Sequence, residues 1–446
     1  MSSRTTAQAA TIGDIAFESK VRADAISESG LRVYGVDRTD GLTPDAKYTS
    51  KDLGRYKVLR PGMFAYNPMR LNIGSIAYCT DKHAVGLVSP DYVVFGCKPG
   101  ILDPDYFSYA IKGPEWRQWT TAAGVGSVRV RIYFRELAKM QITLLPLPEQ
   151  KAIAHILGTL DDKIELIRRM NSTLEAMARA LFQSWFVDFD PVRAKLDGRK
   201  PSGLDAATAA LFPAHFQDSS LGHIPQGWKL GVLNDLIDTV VGGDWGSSEP
   251  SNEENLPTFC IRGADIPSLQ EGGIGKMPTR FLKRSSLEKR SLSGGDLAIE
   301  ISGGSPTQST GRPVLVSENL LQRLKKPLVC SNFCRIVKLK SPATSKFVYL
   351  WLRLVYENGE IFQFENGTTG IKNFAFTLFA EKNPLVIPPP ELCEAFDRVV
   401  SPILEQHQAN GIQSSTLSAL RDTLLPKLLS GKLSVAKATS ELEAVT

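Results

Sequence analysis

Six basic residues crowd one short stretch of this chain, Lys276, Arg280, Lys283, Arg284, Lys289 and Arg290, opposed only by Glu288 and followed by Arg323, Lys325 and Lys326. Ammonium and guanidinium groups at that density neutralise phosphates, as a protein must wherever it grips a duplex. The first half carries a looser equivalent in Lys47, Lys51, Arg55, Lys57, Arg60 and Arg70. Either run alone reads as a solvated face; recurrence in both halves favours phosphate binding. The net charge is only +5, so the argument rests on where the charge lies rather than on its total.

No catalytic constellation accompanies these clusters. The five histidines, His83, His155, His215, His223 and His407, are scattered outside any metal-ligand or nucleophile motif. Six cysteines at irregular spacing, with only Cys330 and Cys334 close together, form neither a disulfide framework nor a zinc set and read as core thiols. Gly272-Gly273-Ile274-Gly275-Lys276 has the composition of a phosphate loop but lacks its spacing and the hydroxyl after the lysine. Asn67-Pro68-Met69 is reminiscent of the Asn-Pro-Pro-aromatic motif of amino-methyltransferases. The second proline, the aromatic and a glycine-rich cofactor loop are absent, so it reads as a turn.

The elements that would position binding groups come in two copies. Residues 149–186 place Ile153, Leu157, Leu160, Ile164, Ile167, Leu174 and Leu181 at steps of four and three, diluted by Asn171 and Ala178. That period predicts a long helix packed lengthwise against another. Residues 391–433 supply the partner, with Phe396, Val399, Ile403, Leu417, Leu420, Leu424 and Leu428. Upstream, Thr11–Ile15 resembles Val232–Leu236, Leu87–Tyr92 resembles Leu328–Phe333, and the Gly124–Ser127 turn has a counterpart in Gly367–Gly370. Each half therefore reads as a β-rich α+β unit followed by a rod, with a connector rich in Ala, Asp, Gly, Pro and Ser over 191–223. At 446 residues two such units are the natural division. No stretch approaches the roughly 20 apolar residues of a membrane span, and no signal peptide follows Met1, which predicts a soluble cytoplasmic chain.

Three segments carry a family resemblance: Leu145-Pro146-Leu147-Pro148-Glu149-Gln150-Lys151-Ala152-Ile153, the run Leu181–Pro191, and Leu424-Leu425-Pro426-Lys427-Leu428-Leu429-Ser430-Gly431-Lys432-Leu433. With them the chain resembles the specificity subunit of type I restriction-modification systems over nearly its whole length. The resemblance implies two target recognition domains separated by an antiparallel pair of long coiled-coil helices, a pseudo-two-fold repeat. The expected division is a first recognition domain at 1–148, a spacer helix at 149–190, the connector, a second recognition domain at 224–389, a second spacer helix at 390–434 and a tail at 435–446. It further implies a non-catalytic chain in which each domain reads one half of a split, asymmetric double-stranded DNA target. The helices would dock two methyltransferase subunits and, in the larger assembly, two translocating nuclease subunits. Adenine methylation and restriction would belong to those partners, with S-adenosylmethionine, ATP and Mg2+ bound there and no cofactor or metal on this chain. Two departures stand out: the first half lacks a counterpart of Pro225-Gln226-Gly227-Trp228, and the second helix carries Pro402 with Gln406, Asn410 and Gln413 in its seam, predicting a local bend.

A helix of about 38 residues is about 57 Å long, more than one turn of B-DNA. Base readout then needs polar side chains on loops, with basic neighbours on phosphates. The candidates are Asn67, Arg70, Asn72, Ser127 and Arg129 in the first domain, and Ser305, Gln308, Ser309, Thr368, Lys372 and Asn373 in the second, with Lys276, Arg280, Lys283 and Arg284. Val128, Val130, Ile132 and Phe134 alternate with Arg129 and Arg131, the pattern of a strand with one buried face. Leu181, Phe182, Trp185, Phe186 and Phe189 exceed what one antiparallel helix can cover, so some of them, with Leu424 and Leu428, are expected at a subunit interface, the alternative being that they pack into the adjoining recognition domain.

Overall fold

The computed structural model describes residues 7–28, 30–38, 41–46, 48–123, 131–304, 308–368 and 371–443, with the backbone alone at 368 and 441–443. The chain divides into two compact units, one of Met1–Asp162 with Leu417–Thr446, the other of Lys163–Thr416. Both rod helices form, Leu147–Phe186 and Pro390–Leu429, each of 40 residues. Each unit thus contains a portion of both.

In the first unit a four-stranded antiparallel sheet runs in the order Ala16–Ser19, Val93–Cys97, Met63–Tyr66, Ile76–Tyr78. The second unit repeats that order with Ile237–Gly242, Cys334–Leu339, Leu297–Glu300 and Pro313–Leu315. Central strands such as Leu297–Glu300 are buried on both faces, which is why they read as continuous apolar runs without alternation. The repeat extends to the ribbons that lead into the rods. Gln8–Thr11 pairs antiparallel with Gln141–Leu144, and Lys229–Val232 with Pro384–Ile387. Each ribbon is closed by the same device: the Thr11 N–H donates to the Asp14 carboxylate at 2.9 Å, and the Val232 N–H to Asp235 at 3.0 Å.

The seam of the first rod helix follows the expected period, with Ile153, Leu157, Leu160, Ile164, Ile167, Asn171 and Ala178 buried. The second helix departs from expectation by one residue. Val400 is buried where Val399 was expected, and Gln406 and Gln413 face solvent while His407, Gln408 and Asn410 point inward. The helix runs unbroken through Pro402. Within the second unit the helices run antiparallel, because Asn171 meets His407 and Phe182 lies 6.2 Å from Phe396.

The aromatic cluster expected at a subunit interface lies inside the chain. Phe182, Trp185, Phe186 and Phe189 are buried in one core with Phe212, Trp228, Phe347 and Phe396. Trp185 packs 5.3 Å from Phe212, Phe186 4.8 Å from Phe396, and Phe189 5.6 Å from Trp228. The helix alone could not cover them; residues 212, 228 and 347 complete the cover. Leu181 packs partly buried against the same core, and Leu424 and Leu428 are buried in the first unit. Residues 191–223 carry short helices at Asp190–Leu196 and Ala206–Ala210 and contribute Val192 and Phe212 to this core.

Candidate nucleic-acid interface

Five of the predicted contact residues, Asn67, Arg70 and Asn72 in the first unit and Gln308 and Ser309 in the second, follow the third strand of the sheet order in their unit. In the first unit the chain leaves Met63–Tyr66 through Asn67, whose Oδ1 accepts the Met69 N–H at 3.0 Å in an Asx-type turn. Arg70 is exposed and Asn72 half-buried beyond it. The Pro68 carbonyl accepts the Ile132 N–H at 3.0 Å, tying this loop to the segment that precedes the helix Phe134–Leu137. The expected strand does not appear at its described end: Phe134 opens that helix, with Ile132 buried and Arg131 exposed before it. Lys47, Ser127, Arg129 and Ser305 lie outside the described residues.

In the second unit the corresponding loop begins at Ser302–Gly303, which pairs with Asn373 and Lys372. The Ile301 carbonyl accepts the Phe374 N–H at 2.8 Å, repeating the tie seen at Pro68. Glu365–Thr368 pairs antiparallel with Ile371–Phe374, so Thr368 stands at the end of the same small sheet. Lys372 reaches Glu365 at 3.3 Å, and Asn373 and Gln308 are exposed. Ser309 is buried beneath them, its carbonyl accepting the Tyr356 hydroxyl.

The basic cluster folds beside this loop. Arg280 donates to the carbonyls of Trp245 and Gly246 at 2.9 and 3.0 Å, and its guanidinium lies 4.3 Å from the Trp245 ring centroid. Arg262 donates to the Lys276 carbonyl at 2.8 Å, leaving the Lys276 side chain exposed. Burial opposes the charge on Asp265, but bonds from Arg262 and from the Arg262 and Lys276 N–H groups outweigh it and hold that carboxyl below its usual range. The helix Arg284–Arg290 is anchored through Arg290, which donates to the Gly242 carbonyl at 3.1 Å, and through Ser286 to Asp244. Lys283 is engaged by Glu253, and Arg284 is exposed.

Between the cluster and the loop lies a groove of about 530 Å³. Its wall carries Trp245 and Phe333; its floor is the Glu300–Arg312 pair, joined by two bonds of 2.7 Å in a nearly dry setting. Sequence reasoning missed these four residues. Trp245 sits in an irregular segment and Phe333 in a turn, both without periodicity, and the pairing of Glu300 with Arg312 depends on the antiparallel register that brings Ile299 opposite Pro313. Sequence reasoning also left Gln150 without a role. Its amide donates to the carbonyls of Ile101 and Leu145 and accepts the Asp103 N–H, fastening the first rod helix to its unit. The glycines at 272 and 273 serve packing, since a Cβ at Gly272 would lie 2.5 Å from the His407 carbonyl oxygen. Among the described residues no group of His, Cys, Asp and Glu could hold a metal ion.

Comparison with known proteins agrees with this architecture. Residues 69–176 match the family described as Type I restriction modification DNA specificity domain. The chain is 24% identical to the specificity subunit of the type I restriction enzyme HindI of Haemophilus influenzae, over 84% of this chain and 88% of that protein. It is likewise 24% identical to the MjaIX specificity subunit of Methanocaldococcus jannaschii, over 76% and 71%. A crystal structure of a type I restriction-modification system S subunit from M. genitalium shares the fold, with a TM-score of 0.56, 14% identity and coverage of 96% and 97%. The chain is thus similar to type I restriction-modification specificity subunits over most of its length, with the DNA specificity domain matched at residues 69–176.

Proposed function

We propose that this chain reads a bipartite, asymmetric DNA target, one half with each unit, and directs adenine methylation and restriction carried out by partner subunits. It is a non-catalytic recognition subunit. The observation that carries the reading is the repetition of one surface: in each unit the loop after a central strand is bonded to the segment before a short helix, at Pro68 with Ile132 and at Ile301 with Phe374. Arg70 flanks the first loop, and Arg280, Lys276 and Lys372 flank the second, supplying phosphate contacts around side chains that can meet base edges. The proposed recognition domains are 1–148 and 224–389. Two methyltransferase subunits and two translocating nuclease subunits complete the assembly in the cytoplasm, with S-adenosylmethionine, ATP and Mg2+ on those subunits. Among the described residues no helix is long and apolar enough to cross a membrane.

The docking face moves from the buried aromatics to an exposed stripe on the first rod helix, Leu166, Met170 and Met177, which are 56, 44 and 48% exposed at helical spacing. A double substitution Leu166→Glu with Met170→Glu should release the methylating subunit in size-exclusion chromatography while leaving the melting of this chain unchanged. Mapping modified adenines in cells carrying the chain, with salt-dependent binding of the mapped duplex, tests the function itself. A single continuous motif, or no salt dependence, would refute it.

A further inference from the structure

The groove of the second unit has features that phosphate gripping leaves unused. Two aromatic faces are open along it, Trp245 at 36% and Phe333 at 59% exposure. The Trp245 ring is fixed by Arg280, which stacks on it and bonds to its carbonyl. Beneath, Ser331 is 3% exposed and its hydroxyl has no partner, an arrangement that costs the fold unless a ligand completes it. Glu300 accepts two bonds from Arg312 and retains lone pairs, and the Gln308 amide lies against Arg312 at the margin. Room for an occupant comes from Gly263, where a Cβ would stand 2.5 Å from Glu300 Oε1.

We propose that this groove receives one nucleobase swung out of the duplex, its ring against Trp245 and Phe333 and its hydrogen-bonding edge toward Ser331, Glu300 and Gln308. The inference rests on the DNA-reading function above. A base edge read within an intact duplex cannot bring its ring face onto an aromatic side chain; only an unstacked base exposes that face. The cations around the opening, Arg262, Arg280 and Lys276, complement the phosphates that flank such a base. The polar floor can satisfy an exocyclic amine or a ring carbonyl, which an apolar peptide side chain would leave unpaired.

The test uses the sign of an effect. The full chain, in complex with its methylating partner, is titrated with target duplexes that carry an abasic site at each position in turn. Where a base is read by its edge, disruption of the pair weakens binding. Where a base must leave the stack, an abasic site opposite it removes the cost of unpairing and tightens binding. The expected result is one position in the half-site of the second unit, other than the methylated adenine, at which the opposing abasic site tightens binding about tenfold. Trp245→Ala and Phe333→Ala should each lose that gain while keeping salt-dependent binding, and circular dichroism confirms that the fold is intact. The proposal is overturned if no such position tightens binding, or if the gain survives in both variants. Failure of the unvaried complex to bind its intact target duplex would instead overturn the DNA-reading function.

Discussion

Asn171 and His407, 236 residues apart in sequence, meet in the buried seam of the second unit, where the Asn171 amide donates to the His407 carbonyl at 2.9 Å. The same amide donates to the Glu271 carbonyl at 3.1 Å, so one side chain ties together both rod helices and the loop that follows Ile266–Gln270. The contact is close enough that a Cβ at Gly411 would stand 2.2 Å from the Gly272 carbonyl carbon. A polar residue at a seam position fixes register at some cost in stability. Asn171→Ala should lower the stability of this unit by about 1–3 kcal/mol, the range for stranding buried acceptors. An unchanged melting temperature would show that the bonds contribute nothing.

His407 gives the same seam a pH dependence. Burial lowers its pKa below the ordinary 6.5, with Glu175 pulling the other way and Arg353 adding to the depression. Between the folded value and 6.5 the unfolded chain holds a proton that the folded chain does not, so stability rises with pH there. The contribution is complete above about pH 6.5 and is lost as the pH falls below it. Melting temperatures from pH 5 to 7.5 should converge toward those of His407→Gln at low pH and separate above 6.5. Parallel profiles would refute the assignment.

The Glu300–Arg312 pair should show the asymmetry of buried charges. Arg312→Met leaves Glu300, 2% exposed, without its counterion and should cost about 3–5 kcal/mol. The double variant Glu300→Leu with Arg312→Met should recover much of that loss in a denaturation series. A double variant as unstable as the single one would mean that packing, not charge, dominates the site.

The exposed cations offer a separable prediction. Lys276→Ala and Arg284→Ala should each weaken duplex binding similarly for all sequences and reduce the slope of log K against log salt by about 1. Loss of preference at one base position, with the slope unchanged, would identify a base contact instead. Lys283, held by Glu253, should change the slope less than Arg284.

The sequence by itself determined the architecture, because its signals are local and periodic. Apolar steps of three and four define both rod helices, and short matches such as Thr11–Ile15 with Val232–Leu236 mark a duplication whose strands then pair in the same order. Tertiary structure decided which side chains remain free. Phe182, Trp185, Phe186 and Phe189 look like an exposed excess along one helix, yet residues brought from 212, 228, 347 and 396 enclose them. Ser309 and Gln308 are neighbours in sequence, but one is buried and the other exposed. The groove of Trp245, Glu300, Arg312 and Phe333 has no sequence signature, because its residues lie on separate segments that only the pairing of Leu297–Glu300 with its neighbours brings together. Periodicity reports which face of an element is apolar; what covers that face depends on contacts across hundreds of residues, which only the folded chain supplies.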